Sequence, residues 1–455
     1  MDNLQWVIST CVDLFEFLKL IRYGKEEIDM LEKEIIVVGG GLAGLTASLF
    51  LARAGCTVTL FERSTGLGGR GTTKDLRGFR FNLGPHSFYL DEKVTSILNE
   101  IGIKYAGQSP DRSKQLMELN GKLQKFPNTL PSILQNEVLE EESKEEIVKL
   151  LSGLQQLDTS RWRGKSVQEW MASSISHPQT RLFVESALRL ASYSASPELV
   201  DAEFFLNLLR SMPDVWYLDH GWGTIIDGLE QAARATGVRI VVNAKVSRIH
   251  ETGHGYQLSL SDGSVHSASS VILAVPPAVV SKLLEETEFP ELRNWTDETI
   301  PIYVAALNVA LKRLPNPEQP FVLGFDTPYY YSAHSDVAKL APDEGAMIHL
   351  MKYIRPEETN HPASTRNELG KWLDSLQPGW RDLIVEEQFL PNIMVAGDVV
   401  QAKRGGLAGR FGPKVPGTKK LYVAGDWTGN EAQLANASIT SAYRAASMIL
   451  EGYEL

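Results

Sequence analysis

Gly39, Gly41 and Gly44 form the spacing G-x-G-x-x-G directly after the β-branched run at residues 34–38 and at the start of a helix-like stretch, residues 42–54. Each glycine has a separate task in such a turn: the first lets the chain reverse, the second leaves room for a pyrophosphate at the backbone, and the third lets the helix pack closely on the strand. The helix start then offers the free N–H groups of Leu42, Ala43 and Gly44, and a favourable dipole, to an anion. Residues 57–61 are apolar again and end at Glu62 and Arg63, twenty-one residues after Gly41. A carboxylate at Glu62 suits a ribose 2′-hydroxyl and disfavours a 2′-phosphate. Strand, glycines, helix, strand and acid in register point to a bound dinucleotide, without separating FAD from NAD. Gly66, Gly68, Gly69 and Arg70 add a second glycine-rich turn. Its guanidinium can form charge-assisted bonds to a pyrophosphate.

These elements lie in a chain of 455 residues, 43% hydrophobic and 22% charged, which is long enough for two compact units. The net charge of −11 opposes nonspecific attraction to nucleic acid or anionic lipid and favours a small-molecule partner. Only Cys11 and Cys56 occur, which suits a reducing compartment and a cytoplasmic location. No histidine or cysteine cluster has metal-ligand spacing, so no metal site is expected. Residues 1–22 carry apolar positions at helical spacing, interrupted by charges, so residues 1–33 read as an N-terminal helical extension. That extension either docks on the protein or makes peripheral membrane contact; translation starting at Met30 is a third reading.

The expected order after the first β-α-β unit is a mainly helical insertion, then a strand at residues 238–242. An antiparallel meander follows at residues 245–269, with a strand at residues 271–275. The acidic run at residues 137–146 reads as a solvated helix face, and Ser166 with Glu169 as a capping box. The chain ends in a strand at residues 421–424 and a helix from about Ser438. The resulting expectation is an α/β fold in which a nucleotide-binding domain of three pieces (34–107, 214–285, 395–455) is interleaved with a mixed α+β substrate domain (108–213, 286–394).

The stretch from Ile35 to Gly71, with Gly84, Pro85 and His86 beyond it, resembles the superfamily of flavin-containing amine oxidases, protoporphyrinogen oxidases and phytoene desaturases. The run Leu421 to Gly429 is similar to that superfamily's closing flavin motif, and the likeness is strongest to phytoene desaturase-related proteins. The resemblance implies an FAD-binding Rossmann-like domain of the glutathione-reductase type. It places Gly425 and Asp426 at the ribityl or pyrophosphate region, a helix start near Ala437 at the flavin pyrimidine, and the backbone of Val246 against adenine. Val395 to Asp398 repeats the four letters of Val423 to Asp426, but no similar helix follows that copy. No cysteine or histidine follows His361, so the FAD is expected to be noncovalent.

Flavin performs the hard step itself, so no acid–base dyad is required of the protein. Candidates for its face are His86, Trp427 and the group Tyr329, Tyr330, Tyr331 and His334. The implied activity is dehydrogenation or desaturation of a small apolar substrate, with amine oxidation as the alternative and the electron acceptor left open among oxygen, a quinone or another molecule. A reading from another class is a non-catalytic binding protein on this fold, like the GDP-dissociation inhibitors. The intact glycines, Glu62, Arg70 and Asp426 oppose it.

Overall fold

A computed structural model describes residues 34–211, 213–284, 295 and 297–452; the expected N-terminal extension lies outside them. Glu34–Val38 is the centre of a five-stranded parallel sheet. Its order across the sheet is Arg239–Val241, Thr57–Phe61, Glu34–Val38, Ser270–Leu273, Leu421–Val423. Both faces of these strands are apolar, because both are covered. Ile35, Val37, Val58, Leu60 and Ile272 pack under the helices Leu42–Arg53, Gly223–Ala235 and Leu434–Glu451. Ile36, Val38, Phe61, Val271 and Leu273 pack under a meander of three antiparallel strands, Val246–Thr252, Gly255–Leu260 and Val265–Ala268. Strands drawn from three distant parts of the sequence therefore share one core.

The second sheet has seven strands, in the order Ile384–Ala396, Ile302–Leu311, Ala346–Ile354, Tyr329–Ala333, Phe321–Gly324, Gln115–Leu119, Lys122–Lys125. All pairs are antiparallel except Phe321–Gly324 with Gln115–Leu119. Side chains alternate between the two faces, as a pleated strand requires. Leu307, Val309, Tyr331, Ile348 and Leu350 face the helix Pro362–Leu376, through Leu369, Trp372 and Leu373. On the other face, Tyr330, Met351 and Tyr353 meet the helical segment through Phe183 and Val184, while Ala310 and Met347 meet Phe79 and Phe81 of a hairpin, Thr73–Leu76 with Phe79–Asn82.

Two expected boundaries need correction. The strand Ile384–Ala396 runs through the expected break at residue 395, because its ladder with Ile302–Leu311 continues to the pair Ile302 and Ala396. The hairpin at residues 73–82, assigned to the nucleotide-binding part, buries its two phenylalanines against the seven-stranded sheet. The capping box is present: Ser166 Oγ accepts from Glu169 N at 3.1 Å and Glu169 Oε2 accepts from Ser166 N at 2.6 Å. The acidic residues Glu137, Glu140, Glu141, Glu142 and Glu145 are exposed. Among the described residues, no helix is long and apolar enough to cross a membrane.

Candidate cofactor and substrate site

Gly39 takes a φ of +105°, and a Cβ there would lie 2.5 Å from the Ala274 carbonyl oxygen. A Cβ on Gly44 would lie 1.8 Å from the Gly39 oxygen, so the helix Leu42–Arg53 can approach the strand only through hydrogen at this position. Gly41 differs: the heavy atom nearest its would-be Cβ is the Gly68 oxygen, 3.9 Å away. The protein itself leaves that point open. Leu45 N donates to Gly41 O at 3.0 Å, and Gly41, as N-cap, supplies no side-chain acceptor. The N–H groups of Leu42, Ala43 and Gly44 thus begin the helix without intrahelical partners.

The second glycine turn lies against the first. Gly68 N donates to Gly40 O at 2.8 Å, and Gly41 pairs with Gly68 in a parallel bridge. A Cβ on Gly69 would stand 3.6 Å from Gly41 Cα. Glu62 closes the edge: its carboxylate accepts from Gly40 N at 2.7 Å and from Ser64 N at 2.8 Å. Arg63 beside it is exposed. Ala244 N donates to the Glu62 carbonyl at 2.8 Å, which brings Val246, at the start of its strand, to the same end of the parallel sheet. Gly39, Gly41, Gly44, Glu62 and Val246 are therefore gathered at the carboxyl ends of neighbouring strands, where open α/β sheets bind ligands.

The Arg70 guanidinium is held by Asp426 in a two-pronged ion pair, Nη1 to Oδ2 at 2.7 Å and Nη2 to Oδ1 at 2.6 Å. The same Asp426 Oδ2 accepts from Gly397 N at 2.8 Å. Burial raises the Asp426 pKa, but the Arg70 charge and these hydrogen bonds outweigh it and hold the carboxyl below its ordinary value. The expected rivals are thus partners. The earlier Gly-Asp copy packs on the later one, where a Cβ on Gly397 would lie 3.2 Å from Asp426 Oδ1. Asp398 itself is a buried structural acid that pairs with Arg404 and accepts from Ile300 N. Arg410, which sequence reasoning missed, donates to the carbonyls of Asp426 at 3.0 Å, Ala432 at 3.2 Å and Asp398 at 3.0 Å, and so ties both copies together. Gly425 has φ +154°, and its N–H donates to Ser441 Oγ at 2.9 Å.

The closing helix begins at Leu434, a turn earlier than expected. Ala437 N donates to Gln433 O at 3.1 Å and is spent inside the helix. The N–H groups that helix geometry leaves unpaired are those of Leu434, Ala435 and Asn436. Leu434 holds φ +54°, an unusual conformation for a bulky residue and a store of backbone strain at this end of the site.

The six candidates for the flavin face divide. Trp427 is buried, gives its indole N–H to Val275 O at 3.1 Å, and packs edge-on to Trp295 at 5.9 Å. It belongs to the packing. Tyr330, His86 and His334 come together with residues that the sequence did not single out: Tyr89, Tyr193, Tyr217, Tyr353, Asn308 and His349. Burial raises the phenol pKa of all five tyrosines, and they act on one another. His86 Nδ1 lies 3.1 Å from Gly84 O. Burial, with the Arg70 charge, depresses its pKa and keeps it neutral. His86 also acts on His334 and His349, so the three imidazoles share one neighbourhood. Tyr329 and Tyr331 point away, Tyr329 to Glu368 at 3.2 Å and Tyr331 into the core beneath the helix Pro362–Leu376. Glu140, Glu142 and His177 are close enough to share an ion, but they lie on the helical segment, with both acids exposed.

The flavin-containing amine oxidoreductase family matches residues 42–450. The chain belongs to that family. It is similar to the "Probable flavin-containing monoamine oxidase A" of Dictyostelium discoideum, 23% identical over 59% of this chain and 63% of that one. It is similar also to 4,4′-diapolycopen-4-al dehydrogenase of Metabacillus indicus, 25% identical over 58% of this chain and 60% of that one. The matched region thus spans about six tenths of those relatives' length. An oxidoreductase from Methanosarcina mazei has the same fold, with a TM-score of 0.73 at 21% identity over 91% of this chain and all of that one. Membership in a flavin-containing family implies FAD as the cofactor. The residues fit that cofactor, since Gly41 leaves the opening a phosphate needs and Glu62, Arg70 and two helix starts supply the hydrogen-bonding groups.

Gly41→Val should keep the fold, because nothing in the protein opposes the new Cβ, and lose FAD; flavin content of the purified variant checks this. Gly44→Ala should instead cost about 3 kcal/mol or more of stability, because the clash is with backbone. Arg70 is 37% exposed, so screening reduces the expected cost of Asp426→Asn to about 2 kcal/mol. Because the Asp426 pKa is depressed in the folded chain, that contribution is present above the ordinary carboxylate value of about 3.9 and is lost as pH falls through the lower folded value. Urea denaturation should therefore show wild type and Asp426→Asn converging only below about pH 4.

Proposed function

We propose that the protein dehydrogenates a small, uncharged, largely apolar substrate, using FAD held without a covalent bond. On this reading the parallel sheet with its meander is a Rossmann-like FAD-binding domain of the glutathione-reductase type, and the seven-stranded sheet with its helices is the substrate domain. The FAD-binding domain is assembled from residues 34–107, 214–285 and 395–455, with the hairpin at 73–82 and the strand end at 395–396 shared with the substrate domain.

When bound, FAD supplies a two-electron acceptor that takes a hydride equivalent from a substrate carbon. The work left to the protein is to bind, orient and keep water out. The free N–H groups at Leu42 to Gly44 and the Arg70 guanidinium would neutralise the phosphates, and Glu62 would accept from the ribose. The tyrosines at 89, 193, 217, 330 and 353 would give the substrate a dry, aromatic wall.

The observation that carries the choice of substrate is the charge around that wall. Arg70 acts on His86 and Arg189 on Tyr353, and Arg189 is itself buried and donates to the carbonyls of Gly324 and Phe325. The carboxylate that reaches Tyr217 is Asp336, which is exposed. Arg70 is neutralised by the buried Asp426, which leaves Arg189, bonded to carbonyls alone, as the uncompensated charge of this set; a cation there opposes a protonated amine and tolerates a neutral hydrocarbon chain. The diapolycopenal dehydrogenase relative supports this reading, and the monoamine oxidase relative supports amine oxidation as the second one.

Anaerobic mixing of the FAD-loaded protein with a small polyene in detergent should bleach the visible flavin absorbance, and putrescine or benzylamine should not. Bleaching by an amine with no response to polyenes would replace this reading with the second.

A further inference from the structure

His334 and His349 are fully buried on the side of the seven-stranded sheet opposite the helix Pro362–Leu376, with ring centroids 4.5 Å apart. Their protonation can be worked out from their neighbours. Asn308 donates its amide N–H groups to the Asn82 carbonyl at 3.2 Å and to Gln388 Oε1 at 3.0 Å, which fixes Asn308 Oδ1 as an acceptor. His349 Nδ1, 2.8 Å from that oxygen, must therefore carry the proton. Burial takes the His349 pKa down to about 3, so the ring is neutral and Nε2 is a bare acceptor without a partner. His334 is stacked on Tyr217 at 3.7 Å with planes 15° apart, which holds its faces and leaves its edge. Neither of its nitrogens has a partner. Its pKa is depressed by burial and by the neighbouring rings, so it offers one N–H and one bare nitrogen whichever tautomer it adopts.

Three unpaired ring nitrogens in a dry core are expensive, since each unsatisfied buried group costs on the order of 1–3 kcal/mol. Buried polar groups without partners are uncommon, and their clustering here sits two steps from the cofactor residues: His86 acts on both rings and is itself acted on by Arg70. Arg70, which acts on His86, is itself neutralised by Asp426, and the groups acting on His334 and His349 are other imidazoles, so nothing acting on these rings compensates the burial of an ammonium and an uncharged partner suits them.

Resting on the dehydrogenase reading above, we propose that His334 and His349 are specificity-determining residues that hold an uncharged oxygen, a carbonyl or a hydroxyl, on an otherwise apolar substrate. A carbonyl oxygen accepts from the His334 N–H. A hydroxyl does the same and donates to a bare imidazole nitrogen. A plain hydrocarbon leaves all three nitrogens unpaired, so the site discriminates by what stays unsatisfied.

The test uses the FAD-loaded protein and a ten-carbon series in one detergent: decan-2-one, decan-2-ol, decane and decylamine, with binding read from the perturbation of flavin absorbance. The ketone and alcohol should bind at least about tenfold more tightly than the alkane and the ammonium. In His334→Leu that advantage should fall below about twofold, with FAD content unchanged and Tm equal to or above wild type, because an apolar replacement removes unsatisfied groups rather than made bonds. His334→Gln, which keeps a donor and an acceptor, should retain part of the preference. A wild-type protein that binds all four alike, tighter binding of decylamine, or a His334→Leu variant that unfolds or keeps the oxygen preference would each overturn the assignment. A protein that takes up no FAD would sink the flavin reading instead, which keeps the two failures apart.

Discussion

The ion pair between Arg70 and Asp426 joins residues 356 positions apart and holds the site together. Arg70 ends the second glycine turn, which lies flat on the first through Gly68 and Gly40. Asp426 lies in the turn that follows the last strand of the parallel sheet, Leu421–Val423, and also receives the N–H of Gly397, just past the end of the longest strand of the other sheet. One carboxylate therefore joins the second glycine turn, the turn after the last parallel strand and the edge of the seven-stranded sheet. Its low exposure, 2%, makes the pair strong and also makes it intolerant of losing either partner. Arg410 performs the complementary task with backbone carbonyls, so that both Gly-Asp turns are held from two sides.

The seven-stranded sheet divides its labour by the two-residue period of a strand. Along Ala346–Ile354, the even positions Ile348 and Leu350 serve the core beneath the helix Pro362–Leu376, while Met347, His349, Met351 and Tyr353 line the face turned toward the cofactor residues. Tyr329 to His334 repeats the pattern, so adjacent tyrosines have unrelated roles: Tyr331 packs, Tyr330 lines the aromatic wall. The part of this face that meets the helical segment is apolar and phenolic, and the part near His86 carries unpaired imidazoles. A substrate lying along this sheet would pass from one environment to the other.

The parallel-sheet half, with its glycine turns, was legible because its steric demands are local. A glycine at 39, 41 and 44 can be read from spacing alone; the structure supplies the backbone contacts that make 39 and 44 necessary and leaves 41 open. Glu62 was legible for the same reason. The pairing of Arg70 with Asp426 was not, since a contact over such a separation leaves no local pattern; both residues were assigned separately to the cofactor. The start of the closing helix was missed by a turn because Leu434 enters it with a positive φ, which no propensity scale anticipates for leucine. The aromatic wall was half visible. Tyr330 and His334 stood out within one run, but Tyr89, Tyr193, Tyr217 and Tyr353 come from four elements and meet only through the fold. His349 had a signal in the alternation of residues 347, 349, 351 and 353, which marks one face of a strand with a histidine among apolar neighbours. Arg410 carried none.

The claim on which all of this rests is that the glycine turns, Glu62 and the Arg70–Asp426 pair hold FAD. Its most direct measurement is the visible spectrum of the natively purified protein, followed by mass identification of whatever denaturation releases. The account requires flavin absorbance and intact FAD recovered in the supernatant, leaving an unmodified polypeptide. A protein that stays colourless after incubation with FAD, or one that releases a nicotinamide dinucleotide instead, would contradict it.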